Sequence, residues 1–135
     1  MAKFVATDYN ITINGASFSS SLAAVTLDIT VEEQDTTSFG STAHTRVGGL
    51  QDASLSLDFH QDFGASSVDA TLFPLLGSNA TVVIKPTSST VSATNPAYTA
   101  VCLVTQYQPF ASSVGDLATL SVSWPVTGAV TRATA

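Results

Sequence analysis

Two segments in which apolar and polar residues alternate constrain the fold of this chain more than any other feature. They are Val25–Glu33 and Ala53–Phe63. Because successive side chains of a β-strand point to opposite faces, each segment is predicted to form a strand with one buried and one solvated face. The solvated faces carry hydroxyl groups, carboxylates and one imidazole: Thr26, Asp28, Thr30, Glu32, Ser54, Ser56, Asp58, His60 and Asp62. Neither segment contains a lysine or arginine, so this acidic face is suited to repelling rather than binding an anion.

The rest of the pattern predicts further short strands and one short helix. The pair Asn14-Gly15 predicts a hairpin turn, because both residues tolerate positive φ. A helix is predicted over Ser66–Leu76, with Ser66 or Ser67 as its cap and Asp69 in its first turn. Further strands are predicted where apolar or β-branched residues recur: Tyr9–Asn14, Ala16–Leu22, Thr81–Lys85, Tyr98–Gln108 and Leu117–Trp124.

About seven strands with one short helix predict an all-β fold, a small antiparallel β-sandwich or open barrel. The 135 residues fit one domain, 1–135. Between the two alternating segments, Gln34–Gly49 loses all periodicity and is predicted to be a long loop. A loop of this length in a compact domain is typical of a docking or functional segment.

The composition limits the classes of partner that this domain is expected to bind. Only 10% of the residues are charged, against roughly 25% in soluble domains, so we expect copies of the chain to cover much of one another's surface. The net charge of −6 and the absence of basic clusters argue against binding to nucleic acid or to acidic lipid. No stretch approaches the roughly 18 apolar residues that span a bilayer, and the N-terminus lacks a signal peptide, so synthesis in a cytoplasm is expected.

The sequence contains no residue pattern typical of a catalytic, cofactor or metal site. His60 stands between Asp58 and Asp62, but residues spaced by two on a strand form a row and do not converge on a metal ion. No nucleophile elbow, phosphate-binding loop or zinc motif occurs. Cys102 lies in an apolar run and is predicted to be a buried free thiol. The sequence therefore predicts a protein that is not an enzyme and needs no cofactor.

Several short sequence segments, distributed over most of the chain, occur in a fixed order: Met1-Ala2-Lys3-Phe4, Tyr9–Gly15, Gly48-Gly49-Leu50, Ser54–Phe63, Asp69–Gly77, and Val114–Thr119 leading to Trp124-Pro125. With the order of hairpin, long strand, loop, long strand, short helix and further strands, they resemble the tail tube (major tail) proteins of long-tailed, non-contractile bacteriophages. The same segments resemble short members of this family from actinobacterial phages. The chain has no room for the extra surface domains that many tube proteins carry.

The resemblance implies a structural protein of the virion tail, made in the cytoplasm of a host bacterium. Six-fold rings of this subunit would stack head to tail into a tube that conducts DNA without binding it. The implied partners are further copies, the tape measure protein and the tail terminator. The resemblance places Asp28, Glu32, Asp58 and Asp62 on the lumen. It places the loop Gln34–Gly49, with Phe39, His44 and Arg46, against the next ring.

Two other readings remain open on the sequence. One is a different virion β-sandwich, such as a head decoration or tail-tip adhesion module. The other is a carbohydrate-binding domain that uses Trp124, Tyr98 or Tyr107, although Trp124 lies beside Leu120 and Val122 in a pattern that favours the core.

Overall fold

The computed structural model describes residues 3–135, which form eight β-strands, one short α-helix and two 3₁₀ turns. Met1 and Ala2, which begin the first of the segments that carry the resemblance, lie outside the described residues. The strands are β1 (Asn10–Ile13), β2 (Ala16–Ser17), β3 (Leu22–Asp35), β4 (Arg46–His60), β5 (Asn79–Lys85), β6 (Ala97–Leu103), β7 (Thr119–Pro125) and β8 (Thr131–Ala133). The helix α1 is Val68–Leu72, and the 3₁₀ turns are Ser19–Ser21 and Phe73–Leu75.

The strands form two antiparallel sheets. The first sheet has the order β2-β1-β5-β6-β8, and the second has the order β3-β4-β7. Every strand pair within the sheets is antiparallel. This confirms the predicted all-β fold with one short helix, with one strand more than the sequence indicated.

The core lies between the two sheets. On β4 the apolar face of the alternating pattern is buried, with Leu55, Leu57 and Phe59 at 0% exposure. Phe59 meets Phe18 edge to face, with ring centroids 6.2 Å apart. Trp124 on β7 is also fully buried, and its indole N–H donates to the carbonyl of Gln106 at 3.0 Å. The predicted inward faces of β4 and β7 are therefore confirmed. The buried face predicted for Val25–Glu33 is wrong for its outer half, because Val25 and Leu27 are half-buried but Ile29 and Val31 are 39% and 57% exposed.

The structure tests the predicted hairpin turn and the predicted helix. The hairpin turn is confirmed, since Asn14 (φ 51°) and Gly15 (φ 87°) both adopt positive φ between β1 and β2. Ser67 is the N-cap residue of the helix, as predicted, but its side chain makes no capping hydrogen bond. The helix predicted to run to Leu76 ends at Leu72, where a 3₁₀ turn follows, and the strand predicted over Ala16–Leu22 is limited to Ala16–Ser17 because the 3₁₀ turn Ser19–Ser21 comes next. Asp69 lies in the first turn and accepts a 2.7 Å hydrogen bond from the hydroxyl of Tyr107.

Three boundaries of the longer strands are wrong. The strand predicted to run to Gln108 ends at Leu103: Val104 still bonds to Ser78 and Gly77, but its partner strand β5 begins only at Asn79, so the residues that follow have no strand to pair with. The strand predicted to run to Phe63 ends at His60.

The third correction concerns the loop predicted over 34–49. Strand β3 continues to Asp35 and β4 already begins at Arg46, so the connection is reduced to residues 36–45. The paired ends of the two strands show no alternation because solvent surrounds both of their faces, and no face had to be apolar.

Candidate functional site

The polar face of the second sheet is a continuous surface of hydroxyl and carboxylate groups. The strand register places Thr26 beside Ser56, Asp28 beside Ser54, and Asp58 beside both Ala24 and Ser121. Because Asp28 and Asp58 lie four strand positions apart, they are separated by about 13 Å along the sheet. Both are exposed. The face therefore holds dispersed negative charges rather than a carboxylate pair that could share a proton or a metal ion.

Within residues 3–135, no lysine or arginine forms an ion pair with a carboxylate of this face. Arg46 is the only lysine or arginine on the three strands of the second sheet. Its Nε lies 2.6 Å from Oε1 of Glu33, which alternates with Glu32 and so projects from the opposite face. Asp52 pairs with Thr30 and shares the face of Ser54, although sequence analysis missed it. Continuing the alternation one residue before Ala53 would have found it.

The other two predicted lumen residues lie at the margins of this face. Glu32 falls where the register shifts between Val31 and Glu33, opposite the Gly48-Gly49-Leu50 segment. Asp62 lies two residues beyond the end of β4 and is not part of the strand. Its carboxylate accepts the backbone N–H of Gly64 at 2.8 Å and so stabilises the turn that precedes α1.

The second feature of the site is a hairpin that projects from the sandwich. We define the arm as residues 28–52, every one of which is exposed. Strand β7 pairs with β4 only from Ser54 onward, so the outer parts of β3 and β4 pair with each other alone. The two strands pair with each other from the Ile29 and Ala53 pair to the Asp35 and Arg46 pair, a length of about 20 Å.

The arm tip, residues 36–45, is held by its own hydrogen bonds. The Thr36 N–H donates to the carbonyl of Thr45 at 2.8 Å, and the Thr45 N–H donates to Oγ1 of Thr37 at 2.9 Å. Hydrogen bonds from the Thr37 side chain and backbone N–H lower the pKa of Asp35 at the base of the tip.

The predicted contact residues all lie on or next to this tip. Phe39 is fully exposed, at 108%. The imidazole Nδ1 of His44 lies 3.7 Å from Oδ2 of Asp35, and Arg46 opens β4 directly after the tip. The structure therefore brings Phe39, His44 and Arg46 to one end of the molecule, where Arg46 is nine strand positions from Leu55, the first fully buried residue of β4.

The free edges of the second sheet are the third feature. Within the described residues, the outer edge of β3 has no strand partner along its 14 residues. The outer edge of β7 is partly covered, because Ser112 bonds to Thr119 and the amide of Gln106 donates to the carbonyl of Ser123 at 3.3 Å.

An apolar groove of about 380 Å³ lies along β3, between the strand's inward face and the first sheet. Val25, Leu27 and Ile29 form one wall of the groove, and Ile84 and Tyr98 form another. The groove and the bare edge of β3 together leave one flank of the sandwich open.

The aromatic residues considered for sugar binding are differently placed. Trp124 is fully buried and presents no face to a ligand. The hydroxyl of Tyr107 is engaged by Asp69 and Gln61, and burial together with Asp69 raises its pKa. Tyr98 lines the groove beside β3. The three residues do not form a common platform.

Other chemistry is sparse. Across residues 3–135, no group of three or more His, Cys, Asp or Glu side chains is arranged to hold a metal ion. Cys102 is buried, as predicted, and burial raises its pKa to about 11. In the same range, no helix has the length and apolar character needed to cross a membrane.

Two solved structures share this architecture. A chain in the virion of a native gene transfer agent particle is similar with a TM-score of 0.74 and 16% sequence identity, covering 93% of this chain and 95% of its own. A chain in the tail of an empty gene transfer agent particle, refined as a helix with C6 symmetry, is similar with a TM-score of 0.63 and 17% identity, covering 82% of this chain and 81% of its own. No protein-family model and no curated protein sequence matches the chain. At these identities the likeness shows the fold, which is that of proteins in virion and tail particles.

Proposed function

We propose that this chain is a structural subunit of a phage-like tail tube, in which six-fold rings stack head to tail around a channel that conducts DNA. The observation that carries the proposal is the arm. A 25-residue hairpin that is exposed on both faces, from residue 28 to residue 52, buries almost nothing within its own chain. Such a segment gains its stability from contacts with another molecule.

The free edges support self-assembly. An unpaired 14-residue strand such as β3 is a template for pairing with another chain, and natural proteins protect such edges with lysines, prolines or bulges. Strand β3 has no lysine or proline, and its register shifts lie near its ends. Closing several copies into a ring would cover this edge, the groove beside it and the other flank of the sheet together.

The number six and the stacked arrangement come from the likeness of the fold. The similar chain from the gene transfer agent tail belongs to an assembly with C6 symmetry, and both similar chains belong to virion or tail particles. A tail location in the virion, synthesis in the host cytoplasm, and contacts with a tape measure protein and a tail terminator are further parts of the proposal.

The acidic face of the second sheet supports a channel through which DNA passes without binding. If the second sheets of six copies line the channel, Asp28, Asp52 and Asp58 face the DNA without a basic partner. Like charges at close range repel, and the repulsion acts over about one Debye length, roughly 8–10 Å at moderate salt. The DNA would then slide through the channel instead of adhering to its wall. No enzymatic step belongs to this function.

Electron microscopy of the concentrated, purified chain tests the proposal. We expect rings with a central hole, stacked into tubes, with six-fold symmetry in end-on class averages. Separate trimers would instead support the decoration-protein reading. Monomers at every concentration, with a mobility shift on a polysaccharide gel, would support the carbohydrate-binding reading and overturn the proposal.

A further inference from the structure

The molecule carries two exposed apolar surfaces at opposite ends of its second sheet. One is the arm tip, where the side chain of Phe39 projects fully into solvent. The other we call the aromatic patch, defined as Phe63 and Phe110. The two rings are stacked with centroids 5.6 Å apart and an interplanar angle of 28°, yet they are 56% and 85% exposed.

The aromatic patch is held in a fixed position. The side-chain amide of Gln61 donates to the carbonyl of Pro109 at 2.9 Å, and the backbone N–H of Gln61 donates to the carbonyl of Ala118 at 2.9 Å. These bonds attach the loop that carries Phe110 to the chain just beyond β4. Val114 and Leu117, on the same loop, are also exposed. A rigid apolar surface of this kind loses little conformational entropy when it is covered.

The arm tip cannot reach the aromatic patch of its own chain. Strand β4 runs from Arg46 at the arm to His60 near the patch, and fourteen residue steps of strand span about 45 Å. A contact between the two surfaces must therefore join two copies. Because it joins different surfaces at opposite ends, the contact is heterologous and can repeat without closing.

The charges of the two surfaces are compatible with this contact. Residues 61–78 and 104–118, which surround the aromatic patch, contain Asp62, Asp69 and Asp116 and no lysine or arginine. The arm tip contains no carboxylate, and its one ionisable side chain is His44. Phe39 can thus approach the acidic end of another copy while the nearest carboxylate of the arm, that of Asp35, lies at the base of the tip beside His44, which limits repulsion between like charges.

The geometry points to a specific docking contact: Phe39 at the arm tip of one copy packs against Phe63 and Phe110 of the copy in the next ring. This inference rests on the proposed function, since it requires stacked rings, and it adds the receiving surface that stacking uses. The three aromatic side chains form the apolar centre of the contact between rings. Large aromatic side chains are the residues that most often dominate binding energy at such centres.

Cross-linking within assembled tubes tests the contact. The variant carrying both Ser38→Cys and Ala111→Cys, which places a thiol beside Phe39 and another beside Phe110 and keeps all three aromatic side chains, is assembled under reducing conditions and then treated with a short bismaleimide at neutral pH. Cys102 needs no replacement, because it is buried and its pKa of about 11 keeps the thiol protonated. The two single-cysteine variants are the matched controls, and Ser38 and Ala111 are both exposed, so folding is preserved.

We expect covalent chains that contain more than six subunits, because links between successive rings continue along the whole tube. The single-cysteine controls should yield no chain longer than a dimer. Cross-linked species of no more than six subunits would show that the tip docks within its own ring. Tubes without cross-links would show that it docks elsewhere. Either result overturns the docking contact and leaves the tube proposal intact. If the unmodified chain never forms rings or tubes, the proposed function fails, and this inference fails with it.

A second measurement does not depend on cross-linking. Phe39→Ser and Phe110→Ser should each raise the protein concentration needed for tube growth by roughly tenfold or more, as expected for an aromatic side chain at the centre of an interface. Val5→Ser is the matched control, since Val5 is 79% exposed and lies on neither surface. Equal effects of all three substitutions would contradict the proposed contact.

Discussion

If the acidic face lines the proposed channel, reversing its charge should make the tube bind and retain DNA. The perturbation is the double variant Asp28→Lys and Asp58→Lys, which changes the charge of this face by four units in each subunit. Both side chains are exposed, and their cross-strand neighbours Ser54, Ala24 and Ser121 carry no charge. Folding should therefore change by no more than about 1 kcal/mol, the range of surface substitutions.

The effect on DNA should be much larger than the effect on folding. Two lysines in each of six copies give about twelve ammonium groups in every ring. Each phosphate that a lysine neutralises contributes a slope of roughly −0.9 to the plot of log affinity against log salt concentration. Even six such contacts would make binding fall by about a thousandfold between 50 and 200 mM salt. Retention of DNA should therefore be strong at low salt and nearly absent at high salt.

The assay is retention of short duplex DNA by purified tubes over a series of salt concentrations, paired with infectivity of a particle that carries the variant. The matched control is Thr90→Lys with Ala93→Lys, which adds two lysines to an exposed loop between β5 and β6. We expect the double-lysine variant to retain DNA and to deliver it poorly, while the control delivers it normally. Equal DNA retention by both variants, or normal infectivity of the first, would refute the reasoning.

Three further predictions test the fold and the arm. Leu57→Ala should lower the free energy of unfolding by about 2–5 kcal/mol and Leu57→Asp should prevent folding, whereas Ser56→Asp on the opposite face should cost about 1 kcal/mol or less, as measured by urea denaturation. A folded Leu57→Asp variant would mean that the strand faces are reversed. Replacing residues 37–44 by Asn-Gly keeps the Thr36–Thr45 pair and a tight turn but removes the tip, and it should give rings or monomers without tubes, as seen by electron microscopy. Unchanged polymerisation would exclude the tip from the contact between rings. The pKa of Tyr107 is raised above 10 in the folded chain, so the stability it contributes is complete below pH 10 and is lost as the pH rises through the folded value. Tyr107→Phe should flatten the alkaline limb of the stability curve, and an unaltered limb would contradict this assignment.

The sequence predicts the fold where one face of an element had to be apolar. Leu55, Leu57 and Phe59 alternate with Ser56 and Asp58, so the inward face of β4 follows from periodicity alone. The hairpin at Asn14-Gly15 also follows, because few other residue pairs adopt positive φ twice in succession. These elements are specified locally by their own residues.

The arm was misread for the opposite reason. Residues 34–35 and 46–49 belong to paired strands, but both faces of these strands meet solvent in the isolated chain. Without a buried face there is no alternation, and the segment therefore looks like a loop. The same limit applies to the end of β6, because its partner strand β5 begins at Asn79 and leaves the residues after Val104 without a strand to pair with. The apolar pattern of residues 98–108 does not show where the partner strand begins.

The candidate site was predictable in part. The alternation places Asp28 and Asp58 on one face, and the register of β3 and β4 brings that face together. The same rule included Asp62, although that carboxylate serves a turn, because the end of a strand depends on the hydrogen bonds of the following residues. The aromatic patch was not predicted, since Phe63 and Phe110 lie 47 positions apart in the sequence and meet only through folding.

A helical reconstruction of the assembled tube by electron cryomicroscopy tests the central claim most directly. The measurement is the distance of the Asp28 and Asp58 carboxylates from the tube axis, compared with that of Thr90 in the loop between β5 and β6 of the first sheet. We expect both carboxylates to line a central channel and Thr90 to lie at a larger radius. Carboxylates on the outer surface, or an assembly without a channel, would contradict it.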